Sequence, residues 1–139
     1  MRYLSLFVMA LLFISCSNNT PEDVSKRVDQ LIANDQYSQA LTMLENLNPN
    51  DTDADISLLR EKTHLNYGMY MMVRGPENST MRNRMTSALE QFIATLNINP
   101  KNQQARSQIK KIMGIYNTMP DKSPGEDILS DLRELGFNY

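Results

Sequence analysis

From Met81 to Leu96 the apolar residues recur with a single period: Met81, Met85, Ala88, Leu89, Phe92, Ile93 and Leu96 fall mostly three or four places apart. That spacing gathers them on one stripe of an α-helix, whereas a strand would scatter them over both faces. The other segments between turn signals read the same way, and no stretch of any length alternates apolar with polar residues. The expected fold class is therefore all-α.

The punctuation divides the chain into six helices. Thr20-Pro21-Glu22-Asp23 has a capping residue, a proline at the first helical position and acids in the first turn. Val24, Val28, Leu31 and Ile32 follow at helical spacing, and Asn34-Asp35 ends the run. A second helix carries Tyr37, Ala40, Leu41, Leu44 and Leu47 and stops at Asn48-Pro49-Asn50-Asp51. The third is expected over Ala54–Val73, with Leu58, Leu59, Leu65, Met69, Met72 and Val73 on one side, broken by Arg74-Gly75-Pro76-Glu77-Asn78. The fourth is the Met81–Leu96 stripe, closed by Asn97-Ile98-Asn99-Pro100. The fifth, Asn102 to Thr118, lines up Ala105, Ile109, Ile112, Met113 and Tyr116. In the sixth, Ser123 and Glu126 have capping-box spacing around Pro124, Ile128, Leu129, Leu132 and Leu135 form the apolar side, and Gly136-Phe137 suits a left-handed cap.

The 139 residues are 41% hydrophobic and 22% charged, without tryptophan, so one ordinary globular core must rest on Leu, Ile and Met. A formal net charge of −2 argues against nonspecific nucleic-acid binding by the whole chain. The single cysteine, Cys16, excludes an internal disulfide. It ends an apolar run, Leu4 to Ile14, that follows Arg2 and has the length of a signal-peptide core but not of a membrane-spanning helix.

Phe13-Ile14-Ser15-Cys16 resembles the lipobox of bacterial lipoproteins. The resemblance implies a signal peptide over residues 1–15, a diacylglyceryl group on the Cys16 thiol, and cleavage of the preceding peptide bond. Residues 16–21 would then be the lipidated cysteine and a short tether. Two or more acyl chains hold a protein firmly on a bilayer, each buried methylene contributing about 0.8 kcal/mol. Ser17 after the cysteine, by the same resemblance, points to the outer membrane facing the periplasm.

A second resemblance covers roughly residues 22 to 118. Tyr37-x-x-Ala40-x-x-x-Leu44-x-x-Leu47, Tyr67-Gly68 before Met71, and above all Ala88-x-x-x-Phe92-x-x-Thr95-x-x-x-x-Pro100 are similar to tetratricopeptide repeats. This implies a short stack of about three antiparallel helix pairs over residues 22–137, with the last helix as a cap. Small residues would let helices approach while Phe or Leu fills the space between pairs. The spacing departs from the family: Ala40 and Ala88 lie 48 residues apart, against a period of about 34. An insertion between Met72 and Met85 accounts for much of the excess. In that family ligands lie along the face made by first helices. The register set by Pro100 would aim Gln104, Ser107 and Lys111 inward, with Leu65, Met69 and Met72 from the preceding pair.

Catalytic groupings are not apparent. His64 is the only histidine and sits on a mostly polar stretch, and no Cys/His set of zinc-binding type exists. The chain has no phosphate-binding glycine loop and no Gly-x-Ser-x-Gly elbow. Asp51-x-Asp53-x-Asp55 lacks the glycine and downstream acid of a calcium loop and reads as a helix cap. No enzyme activity, cofactor or metal is expected.

Two features bear on binding. Between residues 74 and 111 the bases Arg74, Arg82, Arg84, Lys101, Arg106, Lys110 and Lys111 outnumber Glu77 and Glu90, a local charge of +5. This segment reads either as a solvated face or as a docking patch for an acidic partner or anionic headgroups. Met69, Met71, Met72, Met81 and Met85 crowd the insertion, as core packing, as an adaptable peptide groove, or as thioether copper ligands. The expected function is a non-catalytic protein- or peptide-binding scaffold anchored to the bacterial envelope through Cys16. The alternative is a structural lipoprotein whose basic 74–111 segment lies on the membrane.

Overall fold

The structure is a computed structural model that describes residues 20–47, 54–119 and 122–139. Cys16 and its signal segment, the Asn48-Pro49-Asn50-Asp51 stop and the Asp51-x-Asp53 part of the expected cap lie outside the described residues. Among those described there are six helices and no strand: α1 Pro21–Ala33, α2 Tyr37–Glu45, α3 Ala54–Val73, α4 Met81–Ile98, α5 Gln103–Asn117 and α6 Glu126–Glu134.

Most ends follow from local chemistry. Thr20 Oγ1, Thr80 Oγ1 and Asn102 Oδ1 each accept a hydrogen bond from the backbone N–H three residues on, capping α1, α4 and α5. At the end of α1, Asp35 adopts a left-handed φ of 58°, with its N–H donating to Ile32 O and the Gln36 N–H to Leu31 O. α6 ends the same way at Gly136 (φ 82°), and Phe137, which follows, turns back into the core.

The start of α6 departs from expectation. The Ser123–Glu126 capping box does not form and Pro124 is not the first helical residue. Gly125, at φ 115°, precedes the helix, the Ser123 hydroxyl accepts from the Gly125 N–H, and Glu126 instead pairs with Arg133. α4 also runs two residues past Leu96, to Ile98.

Packing divides the buried side chains into two clusters. Val24, Val28, Ala40, Leu44, Ile56 and Leu59 join α1, α2 and the start of α3. The larger cluster runs from Met85 through Phe92 and Leu96 of α4 to Ile109, Ile112 and Tyr116 of α5, and is closed by Ile128, Leu132 and Phe137. α1, α2 and α3 pack on one another, and α4 touches α3, α5 and α6.

α3 belongs to both clusters, and here the sequence expectation needs correcting. Leu58 and Val73, placed on its buried side, are 61% and 69% exposed. Instead α3 has two contact rows. Ile56, Leu59, Thr63, Tyr67 and Tyr70 recur at helical spacing on the side that meets α1 and α2. Leu65, Gly68, Met69 and Met72 lie on the opposite side, toward α4 and the larger core. Glu61 meets Asn99, His64 meets Gln91 and Gly68 meets Phe92, so α4 runs antiparallel to α3. In that register Leu58 lies beyond the end of α4, which is why it is uncovered.

The closest approach is at Gly68. A methyl group there would stand 2.6 Å from Cε1 of the Phe92 ring, so glycine lets the aromatic side chain lie directly on the α3 backbone. Phe92 itself is fully buried.

Candidate functional site

The antiparallel register that buries Phe92 carries the first turn of α4 past the end of α3. Thr86 Oγ1 and Tyr116 Oη, 3.1 Å apart, show that this overhang runs instead beside the end of α5. With α3 finished at Val73, no described residue covers the outer side of that junction. The result is an apolar groove of about 280 Å³ lined by Met81, Arg82, Met85, Ile115, Tyr116, Met119 and Lys122.

Met85 and Tyr116 are buried and form its floor. Met81 (59% exposed), Ile115 (42%) and Met119 (42%) stand on its walls. These three are most of the large hydrophobic side chains left exposed among the described residues, the others being Leu58 and Val73. Isolated apolar residues on a surface are ordinary, but several gathered in one concavity mark a site. The charged lining residues among those described are both basic. Arg82 donates one Nη–H to the Ser123 carbonyl at 3.0 Å, which pins the chain entering α6 against α4. The Lys122 ammonium has no hydrogen-bond or ion-pair partner among the described residues.

The residues expected to form an inward face differ in burial. Leu65, Met69 and Met72 are half-buried against the larger core, while Gln104, Ser107 and Lys111 on α5 are exposed. The expected methionine cluster divides in the same way: Met69, Met71 and Met72 pack on the core from α3, Met85 is buried, and Met81 alone projects from its helix.

The basic segment is also partitioned by local geometry. Arg74 pairs with Asp35 at 2.7 Å and lies over the Tyr70 ring, 5.3 Å from its centre. Arg84 donates to the Arg74 carbonyl and reaches Met81 Sδ at 3.6 Å, which holds the turn after α3. Arg106 donates to the carbonyls of Pro100 and Leu135 and covers the Phe137 ring, tying α5 to the chain terminus. Lys101, Lys110 and Lys111 are exposed and carry no side-chain partner among the described residues. Arg82, Arg84 and Arg106 thus serve as clips for backbone carbonyls, Arg74 is held by a carboxylate, and three lysines remain as solvated charge.

Two further polar groups fix the helices that frame the groove. His64 Nδ1 lies 2.9 Å from Gln91 Oε1, joining α3 to α4. Glu61 Oε1 accepts from Asn99 Nδ2 at 2.8 Å and from Asn102 Nδ2 at 2.7 Å, so one carboxylate holds both ends of the α4–α5 turn. Among the described residues there is no group of three or more His, Cys, Asp or Glu placed to hold a metal, and no helix long and apolar enough to cross a membrane.

Compared with models of known protein families, with curated proteins and with solved structures, the chain finds no match.

Proposed function

We propose that this protein is a lipid-anchored, non-catalytic binding module of the bacterial envelope, held at the outer membrane by Cys16 and presenting a stack of helix pairs to the periplasm. The observation that carries the binding role is the gathering of Met81, Ile115 and Met119 in one groove over Met85 and Tyr116. A surface that leaves several large apolar side chains uncovered in one concavity is suited to a protein or peptide partner.

The tetratricopeptide-like reading of the stack draws support from packing at its signature positions. Ala40, Ala88 and Phe92 are fully buried, and Gly68 meets Phe92 as the close-approach argument requires. The anchor draws its support from sequence: an apolar run ending in Ser15-Cys16, with the first helical cap, Thr20, four residues after the cysteine. The alternative role, with the basic 74–111 segment on anionic headgroups, has three unengaged lysines to draw on and is the weaker reading.

Two measurements test this proposal. Mass spectrometry of the protein from its native membrane should show a chain starting at Cys16 and carrying acyl groups; an intact Met1 start would remove the anchor. Crosslinking in cells, followed by identification of the captured chains, should recover a discrete partner above a lipidated control, and capture no better than that control would remove the binding role.

A further inference from the structure

We propose that the groove between the first turn of α4 and the last turn of α5 receives an acidic amphipathic peptide segment, whose apolar side chains enter between Met81, Ile115 and Met119 while its carboxylates meet Arg82 and Lys122. This rests on reading the chain as a binding module and names the place and the chemistry of its partner.

Three observations define the occupant. The first is size. About 280 Å³ lies just below the roughly 300–1,000 Å³ of small-molecule pockets, so the groove takes one or two anchoring side chains rather than a whole organic ligand. The second is wall chemistry. Met81 and Met119 are unbranched thioethers, exposed and able to change rotamer, and they flank the stiffer Ile115. Walls of this kind fit apolar side chains spaced three or four apart on a helix.

The third observation is charge. The titratable lining groups are Arg82 and Lys122, which are cationic, and Tyr116, whose hydroxyl is engaged with Thr86. Among the described residues no carboxylate lines the groove. Lys111 stands one helical turn before Ile115 on the exposed part of α5 and extends the same sign of charge along the approach. A peptide with Asp or Glu beside its apolar anchors is therefore both attracted and oriented, whereas a basic one is repelled.

The test uses the full-length protein in phosphatidylcholine nanodiscs as bait for a displayed library of random peptides about 16 residues long, roughly four helical turns. The enriched sequences should share apolar residues three or four apart, flanked by Asp or Glu. Their binding should fall at least about tenfold in Met81→Asp and in Ile115→Asp. Both residues reach the surface, Met81 59% and Ile115 42% exposed, and circular dichroism should show both variants folded. The Arg82→Glu/Lys122→Glu double variant should lose the acidic peptides and bind versions with Lys in place of the acids.

Enriched peptides that are neutral or basic would overturn the charge assignment. Binding that survives both groove variants would overturn the site while leaving the binding-module reading intact. A library that yields no peptide would overturn both. Salt-sensitive association of the protein with phosphatidylglycerol vesicles, lost in Arg82→Glu/Lys122→Glu and not displaced by the peptides, would assign the cations to a membrane instead.

Discussion

The smaller core, built by Val24, Val28, Ala40, Leu44, Ile56 and Leu59, is bordered by an aromatic and charged clasp, whereas the larger core around Phe92 is closed by apolar side chains from four helices. In the clasp, Tyr37 stacks on Tyr67 with ring centres 5.1 Å apart and leans on Tyr70 at 5.3 Å. Its hydroxyl donates to Asp35 at 3.2 Å, and Asp35 also holds Arg74. Arg60 donates to the Leu44 carbonyl and Lys62 pairs with Asp29, both reaching out from α3. The short helices α1 and α2 bury few large side chains, and directional contacts at the edge supplement them. Around Phe92 there is enough apolar volume that polar groups serve mainly to fix turns, as Glu61 does with Asn99 and Asn102. A small cluster is specified at its rim and a large one through its middle.

The comparison can be broken most decisively at Phe92. Phe92→Ala should destabilise the protein by about 3–5 kcal/mol, with thermal denaturation showing one cooperative loss, because the ring fills the space between α3 and α4. Leu44→Ala should cost about 2–5 kcal/mol but act more locally. Native-state hydrogen exchange should then show α1 and α2 opening while α4 and α5 keep their protection; equal loss across both clusters would mean that the two cores unfold as one energetic unit. Gly68→Ala should cost about 1–3 kcal/mol through overpacking against the Phe92 ring, and pairing it with Phe92→Leu should recover part of that loss in a double-mutant cycle.

The smallest effect is specific to the clasp. Burial first, and then the Asp35 carboxylate together with the hydrogen bond to it, raises the Tyr37 phenol above its ordinary pKa of 10.0. The folded state therefore holds its proton where the unfolded chain has begun to release it. The resulting stability is complete below about pH 10 and is lost as the pH climbs through the folded value. Denaturant midpoints measured across this alkaline range should fall more gently in Tyr37→Phe. Part of the slope should remain, because burial raises Tyr139 as well.

Much of this arrangement is legible in the sequence where one helix face meets one partner. The α5 stripe from Ala105 to Tyr116 and the α4 stripe from Met85 to Leu96 are buried as their periods require. The caps at Thr20 and Gly136 are legible too, because cap chemistry is local. α3 is not legible as one stripe because it has two partners on opposite sides. Its apolar residues are spread around the axis, and choosing one stripe promotes Leu58 and Val73 over Thr63 and Gly68. The α6 start is not legible because Gly125 offers a backbone conformation that the Ser123–Glu126 spacing does not reveal. The groove is half legible. Met81, Met85 and Arg82 stand out within a methionine- and arginine-rich stretch. Ile115, Met119 and Lys122 join them only because the overhang of α4 meets the far end of α5, a juxtaposition set by tertiary register.

The double-sided burial of α3 has a consequence for how the molecule can deform. A helix with a solvent-facing side can roll about its axis, each residue's worth of rotation being about 100°, and keep its packing by exchanging neighbours at the margin. α3 lacks that freedom, since any roll that eased Gly68 from Phe92 would also unstack Tyr67 from Tyr37. It acts as a keyed shaft that locks the azimuth of the α1–α2 hairpin to that of the bundle beyond it.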